Sequence, residues 1–390
     1  MTIVYVLHST DTCNGATKAF FSMLKGIVVH ENIRPIVAVP DRKGIYKELK
    51  SMGILVNVTP MRMNVYPDST GIKNKLLFYP RLFFHQVVNA YAVYRLTKAI
   101  HKLDIDLIHT NVSVIDIGFR VASKLGIPHI YHIRELADKM GCRFVPSEQK
   151  WRECLNLPRS YAICITRAVS RHYQLEDDAS ATVIYDGVCK AEENVFDTPK
   201  QRFFLYAGRI EALKGVHILL KAYRQYLEKN GAEALPLRIA GAVTDCAYEN
   251  EFRQLIEETG MIDHVSFLGQ QDDVAQLMRQ ATATIVPSLT EGFGLCMTEA
   301  MFNRCLVIAH NVDGLKEQFD NGLRICDHEI GLRYDTEDDL CQHLTDVTQN
   351  GIDNYAPIVS AAAKTVQQLY TTEQNANNVY NFYRRIINNQ

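Results

Sequence analysis

Short apolar runs alternate along this chain with longer stretches in which apolar positions recur every three or four residues. The short runs are rich in β-branched residues, as in Ile3-Val4-Tyr5-Val6-Leu7, and read as strands buried on both faces. They predict strands at 3–8, 34–39, 54–58, 105–109, 128–132, 161–165 and 182–185 in the first half. In the second half they predict strands at 203–207, 236–240, 264–267, 283–286 and 305–309. Helical spacing falls between them at 16–29, 43–51, 86–102 and 113–125, then at 216–229, 248–259, 272–280, 295–303 and 336–348. Two more helices are expected over about 355–388. Strand and helix alternating from end to end imply parallel sheets. A polar stretch from Lys190 to Gln201, with Pro199 inside it, reads as a linker. The expected architecture is α/β: two facing, doubly wound, Rossmann-like domains at 1–190 and 200–370. Residues 371–390 are expected to form a helix that packs back on the N-terminal domain. Ligands in such sheets bind beyond the carboxyl ends of the strands, so the cleft between the domains is the expected site.

Composition narrows the classes. A chain of 390 residues suits two or three domains. Its 47% hydrophobic and 22% charged residues are globular values and exclude disorder as the main state. A net charge of −2 argues against nucleic acid as a partner. The ten cysteines form no C-x-x-C pair and no zinc-finger spacing, so they read as reduced cytosolic thiols. Met1–His8 has no basic leader and reads as a strand rather than a secretory signal. No apolar run approaches the roughly 18 residues of a membrane span, and a cytoplasmic location is expected.

Two segments carry chemistry. In Val286-Pro287-Ser288-Leu289-Thr290-Glu291-Gly292-Phe293-Gly294-Leu295 a strand ends, a glycine-punctuated loop follows, and a helix begins that runs on to Glu299. Free N–H groups and the positive dipole end of that helix suit a phosphate. Glu291 and Glu299, eight residues apart, could accept hydrogen bonds from hydroxyls beside it. On residue types alone, a plain turn with surface glutamates remains open. In Phe203–Gly215 a strand delivers Gly208-Arg209, and Lys214-Gly215 opens the next helix. These two cations could clamp a diphosphate, although the order is not that of a Walker A loop. A surface Arg and Lys in a βα loop is the other reading.

In this order and spacing, the segments resemble the retaining GT-B glycosyltransferases of family 4, the glycosyl transferases group 1. The resemblance rests on Arg209…Lys214-Gly215 and Glu291…Glu299, together with Leu237-Arg238-Ile239-Ala240-Gly241, Val265-Ser266-Phe267-Leu268-Gly269 and Val286-Pro287-Ser288. It is specific from about 200 to 320 and looser before that. It implies that Arg209 and Lys214 hold the donor diphosphate and that Glu299 holds the ribose hydroxyls. Glu291 would hold the transferred sugar, and the amides of Phe293, Gly294 and Leu295 would reach sugar and phosphates. Leu268–Val274 would line the base. In the first βα loop the family usually has two glycines, where this chain has Asn14-Gly15. Gly15 is carried over as donor-binding, and Asn14 is expected to tolerate positive φ. His132, at a strand end, matches the family's active-site histidine; a structural histidine is the alternative. Arg134 and Glu135 would either bind acceptor or phosphate, or form an ion pair across the loop. Asp186-Gly187 stands where Asn-Gly is usual, which places a negative charge there, and is read as a turn.

The implied reaction moves a sugar, with retention, from a nucleoside-diphosphate sugar to a hydroxyl of a carbohydrate or lipid-linked acceptor. Polysaccharide or glycoconjugate synthesis is the expected setting. No metal and no cofactor are expected, because Arg209, Lys214 and the helix start cover the phosphates. A GT-B epimerase, a phosphorylase or a non-catalytic nucleotide-sugar-binding protein are the alternatives. Residues 61–103 carry seven cations and one acid, net +6, so the rest of the chain carries −8. Aromatics around Pro80 interleave with those cations, which suits peripheral contact with an anionic membrane. Aromatics packed in a core beneath solvated lysines is the other reading.

Overall fold

The computed structural model describes residues 1–390 except 31, 68–71, 191–197, 244–245 and 389–390, and does not describe the side chains of 67, 72–75 and 246. Most of the expected linker, Asp68, and the side chains of Lys73 and Lys75 therefore lie outside the described residues. The chain divides into two compact units, Met1–Gly187 with Thr372–Gln390, and Val188–Thr371.

The first unit contains β1 (Thr2–Val6), α1 (Gly15–Ile27), β2 (Arg34–Val39), α2 (Tyr46–Ser51), β3 (Leu55–Val58), β4 (Val65–Pro67), α3 (Ile72–Ile100) and β5 (Leu107–Thr110). It continues with α4 (Ile117–Leu125), β6 (His129–Ile133), β7 (Cys142–Phe144), α5 (Glu148–Leu155), β8 (Ser160–Cys164), α6 (Arg167–His172) and β9 (Ala181–Val183). Seven strands form one sheet in the order β3-β2-β1-β5-β6-β8-β9, with every pairing parallel. β4 and β7 pair antiparallel outside it.

The second unit contains β10 (Phe204–Ala207), α7 (Val216–Asn230), β11 (Leu237–Ala240), α8 (Cys246–Glu258), β12 (Val265–Gly269), α9 (Val274–Gln280) and β13 (Ala283–Val286). It goes on with α10 (Leu295–Phe302), β14 (Leu306–His310), α11 (Asp313–Cys326), β15 (Leu332–Tyr334), α12 (Glu337–Asn350) and α13 (Ala356–Leu369). Its parallel sheet runs β12-β11-β10-β13-β14-β15, the doubly wound order whose direction reverses between β10 and β13. The last helix, α14 (Thr372–Asn388), belongs to the first unit.

Side-chain alternation decides what each sheet face meets. In the first unit Ile3, Tyr5, Leu107, Ile130 and Ile163 share a face and pack against Phe20, Met23 and Leu24 of α1 and Val379, Phe382 and Tyr383 of α14. Gly26 sets how closely these two helices lie, since a Cβ there would come within 2.7 Å of Ala376 Cβ. Ser22 and Thr372 hydroxyls bond at 2.8 Å along the same seam. In the second unit Phe204, Tyr206, Leu237 and Ile285 face Leu219, Tyr223 and Tyr226 of α7 and Leu340 and Leu344 of α12. Burial of each such side chain stabilises by about 1.5–3 kcal/mol.

Several elements differ from the expectation. α3 begins fourteen residues before the expected 86 and carries Pro80 inside it, at the expense of one backbone hydrogen bond. β4, β7, α5, α6, α11 and β15 were not expected. α11 contains Gly314 and Gly322, a residue type that weakens a helix interior. Their reason is contact: a Cβ on Gly314 would lie 2.5 Å from the Gly292 carbonyl, and one on Gly322 would lie 2.3 Å from Ile330.

Candidate active site

β10 and β13 are neighbours in the second sheet, and the two chemistry-bearing loops leave their carboxyl ends. After β10 the chain makes a 3-10 turn at Ala212–Lys214, and Gly215, at φ 69°, opens α7. A Cβ at Gly215 would sit 1.9 Å from the Pro287 carbonyl oxygen, so glycine alone lets the two loops touch. Leu289 N–H donates to the Leu213 carbonyl at 2.9 Å across the same contact. Backbone packing thus presents Lys214 to the loop after β13. There its Nζ donates to Glu291 Oε1, and Ser288 Oγ donates to the same oxygen at 2.9 Å. Both side chains of the ion pair are partly buried, 23% and 16% exposed. Arg209 is more open, 45% exposed, and pairs with Glu211 at 3.1 Å. Tyr206 hydroxyl fixes its backbone by donating to the Arg209 carbonyl at 2.6 Å.

The glycines Gly292 and Gly294 lead into α10. Gly294 is its N-cap at φ 94°, and a Cβ there would lie 2.3 Å from Leu315 Cδ2. The N-cap residue of α10, Gly294, offers no side-chain cap, and no acidic residue sits in the first turn of the helix. The backbone N–H groups at its start therefore present a positive end. Buried Gln318 of α11 holds this turn, donating to the Phe293 carbonyl at 2.7 Å and accepting from Thr298 Oγ1 at 2.9 Å. Gly314 N–H donates to the Glu291 carbonyl at 3.0 Å. Phe293 is buried, edge-on to Tyr370 with ring centroids 5.2 Å apart. Leu295 opens α10, and Glu299 lies in it, half-buried.

Arg209, Lys214, Glu291, Phe293, Gly294, Leu295 and Glu299 thus all stand on two adjoining loops and the helix that follows. Glu211, Ser288 and Gln318 were not in the sequence-derived set. Ser288 had a signal, three residues before Glu291 in a loop. Gln318 had none, because its helix was not recognised.

In the first unit, Asn14 differs from expectation. It has φ −79° and caps α1, its side chain accepting from Thr17 N–H at 3.2 Å. An ordinary N-cap needs no positive φ, and Gly15 is the first helical residue. His132 on β6 is fully buried. Its Nδ1 lies 3.1 Å from His109 Nε2 and 3.3 Å from an Arg134 Nη2. Its Nε2 has no hydrogen-bond partner among the described residues. Burial, then the Arg134 charge, then His109 hold the His132 pKa well below the ordinary histidine value.

The ion pair of Arg134 forms with Asp186, not Glu135, and both side chains are nearly inaccessible, 4% and 5% exposed. Asp186 is therefore more than a turn residue: its charge is neutralised in the interior. Glu135 instead accepts from the Ser113 N–H and hydroxyl at 2.7 and 2.6 Å, and from the Val114 and Arg134 N–H groups at 3.1 Å.

Residues 190–364 match the family model described as Glycosyl transferases group 1. A 235-residue stretch is 27% identical to an uncharacterized glycosyltransferase of Methanocaldococcus jannaschii, covering 59% of this chain and 62% of that protein. Over 147 residues the chain is 31% identical to a D-inositol 3-phosphate glycosyltransferase of Rhodococcus opacus, covering 36% of this chain and 32% of the relative. The matches span less than two thirds of either relative's length. The crystal structure of Anabaena HepE in complex with UDP superposes with a TM-score of 0.75 at 20% identity, covering 99% of this chain and 100% of that one. The fold is thus GT-B, built from two Rossmann-like domains. The family match covers 175 of the 390 residues, all of them in the second unit.

Proposed function

We propose that this chain is a retaining hexosyltransferase of family 4, moving a sugar from a nucleoside-diphosphate donor to a hydroxyl acceptor in polysaccharide, glycolipid or other glycoconjugate synthesis. The observation that carries the reading is the Lys214–Glu291–Ser288 cluster beside the start of α10. Departure of the nucleoside diphosphate leaves oxocarbenium-like charge on the sugar and negative charge on phosphate oxygens. Lys214, Arg209 and the α10 N–H groups are donors for that developing negative charge, and backbone contacts fix the loops that carry them. Glu291 accepts from a sugar hydroxyl and Glu299 from the ribose. His132 contributes a buried imidazole nitrogen to a sugar oxygen. The acceptor hydroxyl attacks on the face the diphosphate leaves, and its proton passes to the departing phosphate oxygen. The cationic side chains take the charge-neutralising role, so the reaction is proposed to run without metal.

UDP, present in the HepE crystal, is the first nucleotide to test, with GDP beside it. Each lost charge-assisted hydrogen bond costs about 1.5–3 kcal/mol, or roughly 10- to 150-fold. Arg209→Ala and Lys214→Ala should each lower turnover by that factor with the fold intact. Proton NMR of the product should show the donor's anomeric configuration, in excess EDTA as well as without it. Full activity of both variants, or an inverted product, defeats the proposal.

The face of α3 favours a lipid-linked acceptor. Tyr79, Phe83, Val87 and Tyr91 form an i, i+4 row, and all are more than half exposed. Arg95 and Lys98 follow the row within α3 and Lys102 lies just beyond it, with no acidic residue between 72 and 103. Among the described residues no helix is long and apolar enough to cross a membrane, so the proposed contact is peripheral. Sedimentation with anionic vesicles at low salt should carry the protein down, and high salt should release it.

A further inference from the structure

Around His132 the hydrogen-bonding groups form a chain whose protons can be placed in two ways. Tyr383 hydroxyl on α14 bonds His109 Nδ1 and lies 3.5 Å from the Tyr5 hydroxyl. His109 Nε2 and His132 Nδ1 are 3.1 Å apart. In one arrangement Tyr383 donates to His109, His109 Nε2–H donates to His132 Nδ1, and the His132 proton sits on Nε2. In the other, Tyr383 donates to Tyr5, His109 Nδ1–H donates to Tyr383, and His132 donates from Nδ1. The first makes His132 a donor at its open nitrogen, the second an acceptor and a base. Nothing in the two rings or two phenols alone separates these arrangements.

Arg134 separates them. Its guanidinium has donors and no acceptor. Nε donates to the Asn111 carbonyl and side-chain oxygens at 3.1 and 3.2 Å, Nη1 donates to Asp186, and Nη2 points at His132 Nδ1 from 3.3 Å. A proton on His132 Nδ1 would put N–H against N–H in a buried site. The ring stays neutral there, because burial and the adjacent guanidinium both oppose a positive charge. We infer that Arg134, held by Asp186, is a positioning residue that locks His132 in the Nε2–H form, so that His132 serves the site as a hydrogen-bond donor and not as a general base. The ligand group it then takes is an oxygen acceptor, such as a sugar hydroxyl; its use in transfer rests on the glycosyltransferase reading above. Asp186 standing where Asn-Gly is usual gains a function by this argument: it supplies the countercharge that keeps a guanidinium buried beside the ring.

Nitrogen-15 NMR of histidine-labelled protein, with the His132 signals assigned by their loss in His132→Gln, reads the tautomer directly. In the unsubstituted protein Nε2 should show a protonated, pyrrole-type shift and Nδ1 an unprotonated, pyridine-type shift. Arg134→Met/Asp186→Asn removes both buried charges together; with its fold verified by Trp151 fluorescence, it should lose the single tautomer. Tyr383→Phe should leave His132 on Nε2–H, because Arg134 remains. A proton on Nδ1 in the unsubstituted protein, an unchanged tautomer in the double variant, or a switch in Tyr383→Phe would each overturn the inference. Calorimetric titration of the unsubstituted protein with UDP and GDP is the separate arm. Absence of binding there defeats the glycosyltransferase reading and leaves the tautomer result standing.

Discussion

Removing the Asp186 carboxylate should destabilise the first unit severely. Asp186→Ala takes away the anion bonded to the Arg134 guanidinium, and both side chains are about 95% covered. The remaining partners of that cation are neutral: the Asn111 carbonyl and amide oxygens and the His132 ring. The nearby Glu135 carboxylate cannot turn to it without abandoning Ser113 and the backbone N–H groups it accepts. Breaking a buried pair from one side costs about 3–5 kcal/mol, because a charge stays behind uncompensated. Against a stability of roughly 5–15 kcal/mol, that is a large fraction. Trp151 is the only tryptophan in the sequence. It stacks on Phe144 within the first unit, with ring centroids 4.7 Å apart, so its fluorescence in a urea titration follows that unit. With a slope of about 2–3 kcal/mol per molar, the midpoint should fall by roughly 1–2 M. Arg134→Met/Asp186→Ala should recover most of the loss, with a coupling of about 2 kcal/mol or more in the double-mutant cycle. A loss under about 1 kcal/mol in the single variant, or strict additivity in the cycle, would refute the idea that this pair holds a buried charge in place.

Gly215→Ala should cost at least about 2 kcal/mol in the second unit and lower nucleotide affinity, since φ 69° and a 1.9 Å approach to the Pro287 carbonyl leave no room for a methyl group; thermal melting with and without UDP measures both. Glu299→Gln should weaken UDP or GDP binding in calorimetry, whereas Glu291→Gln should cut sugar transfer without weakening the nucleotide, and equal losses would mean the two roles are misassigned. Acid should destabilise the first unit early. Burial, with Arg134 nearby, lowers the His8 pKa to about 4, burial lowers His129 to about 3, and His109 and His132 are held well below normal. The unfolded chain takes up these protons near pH 6.5 while the folded one does not. Their stabilisation is full above that pH and falls by about 1.4 kcal/mol per pH unit per histidine as pH drops toward 4. Trp151-detected urea titrations at pH 7 and pH 5 should differ by 2 kcal/mol or more, and equal midpoints would contradict it.

The elements that were legible are those whose burial is local. β2 at Arg34–Val39 and β13 at Ala283–Val286 have the bounds expected, because Ile36–Val39 and all of β13 are buried on both faces. The loop positions of Lys214 and Glu291 were legible because each sits next to a glycine that the motif itself contains, Gly215 and Gly292. What stayed hidden depends on residues far apart in the chain. α11 could not be read because Gly314 and Gly322 answer to Gly292 and Ile330 rather than to their own helix. The countercharge of Arg134 could not be read either, since Glu135 is adjacent and Asp186 is 52 residues away. Burial then decided the pairing, by sending Glu135 to backbone N–H groups and the Ser113 hydroxyl and leaving Asp186, among the described residues, the one carboxylate bonded to the guanidinium.

The same long-range pairing changes what the proposed donor clamp must be. Sequence order offers Arg209 and Lys214 as two open cations, yet in the fold Arg209 meets Glu211 and Lys214 meets Glu291, 77 residues away. The two pairs are each neutral, so the loops present little net positive charge to an approaching diphosphate. A phosphate oxygen would have to share the Lys214 ammonium with Glu291, and like-charge repulsion between carboxylate and phosphate would oppose the sharing. Two features offset it. The α10 start supplies N–H groups that its N-cap glycine leaves without a side-chain cap, and these favour an anion without bringing a competing one. Ser288 already donates to the Glu291 oxygen that Lys214 holds, so that oxygen keeps a partner when Lys214 swings toward phosphate. Ion-pair exchange of this kind predicts that Glu291→Gln tightens nucleoside-diphosphate binding even as it impairs transfer. The sign of that change separates a clamp held in reserve by its own carboxylate from one that stands open.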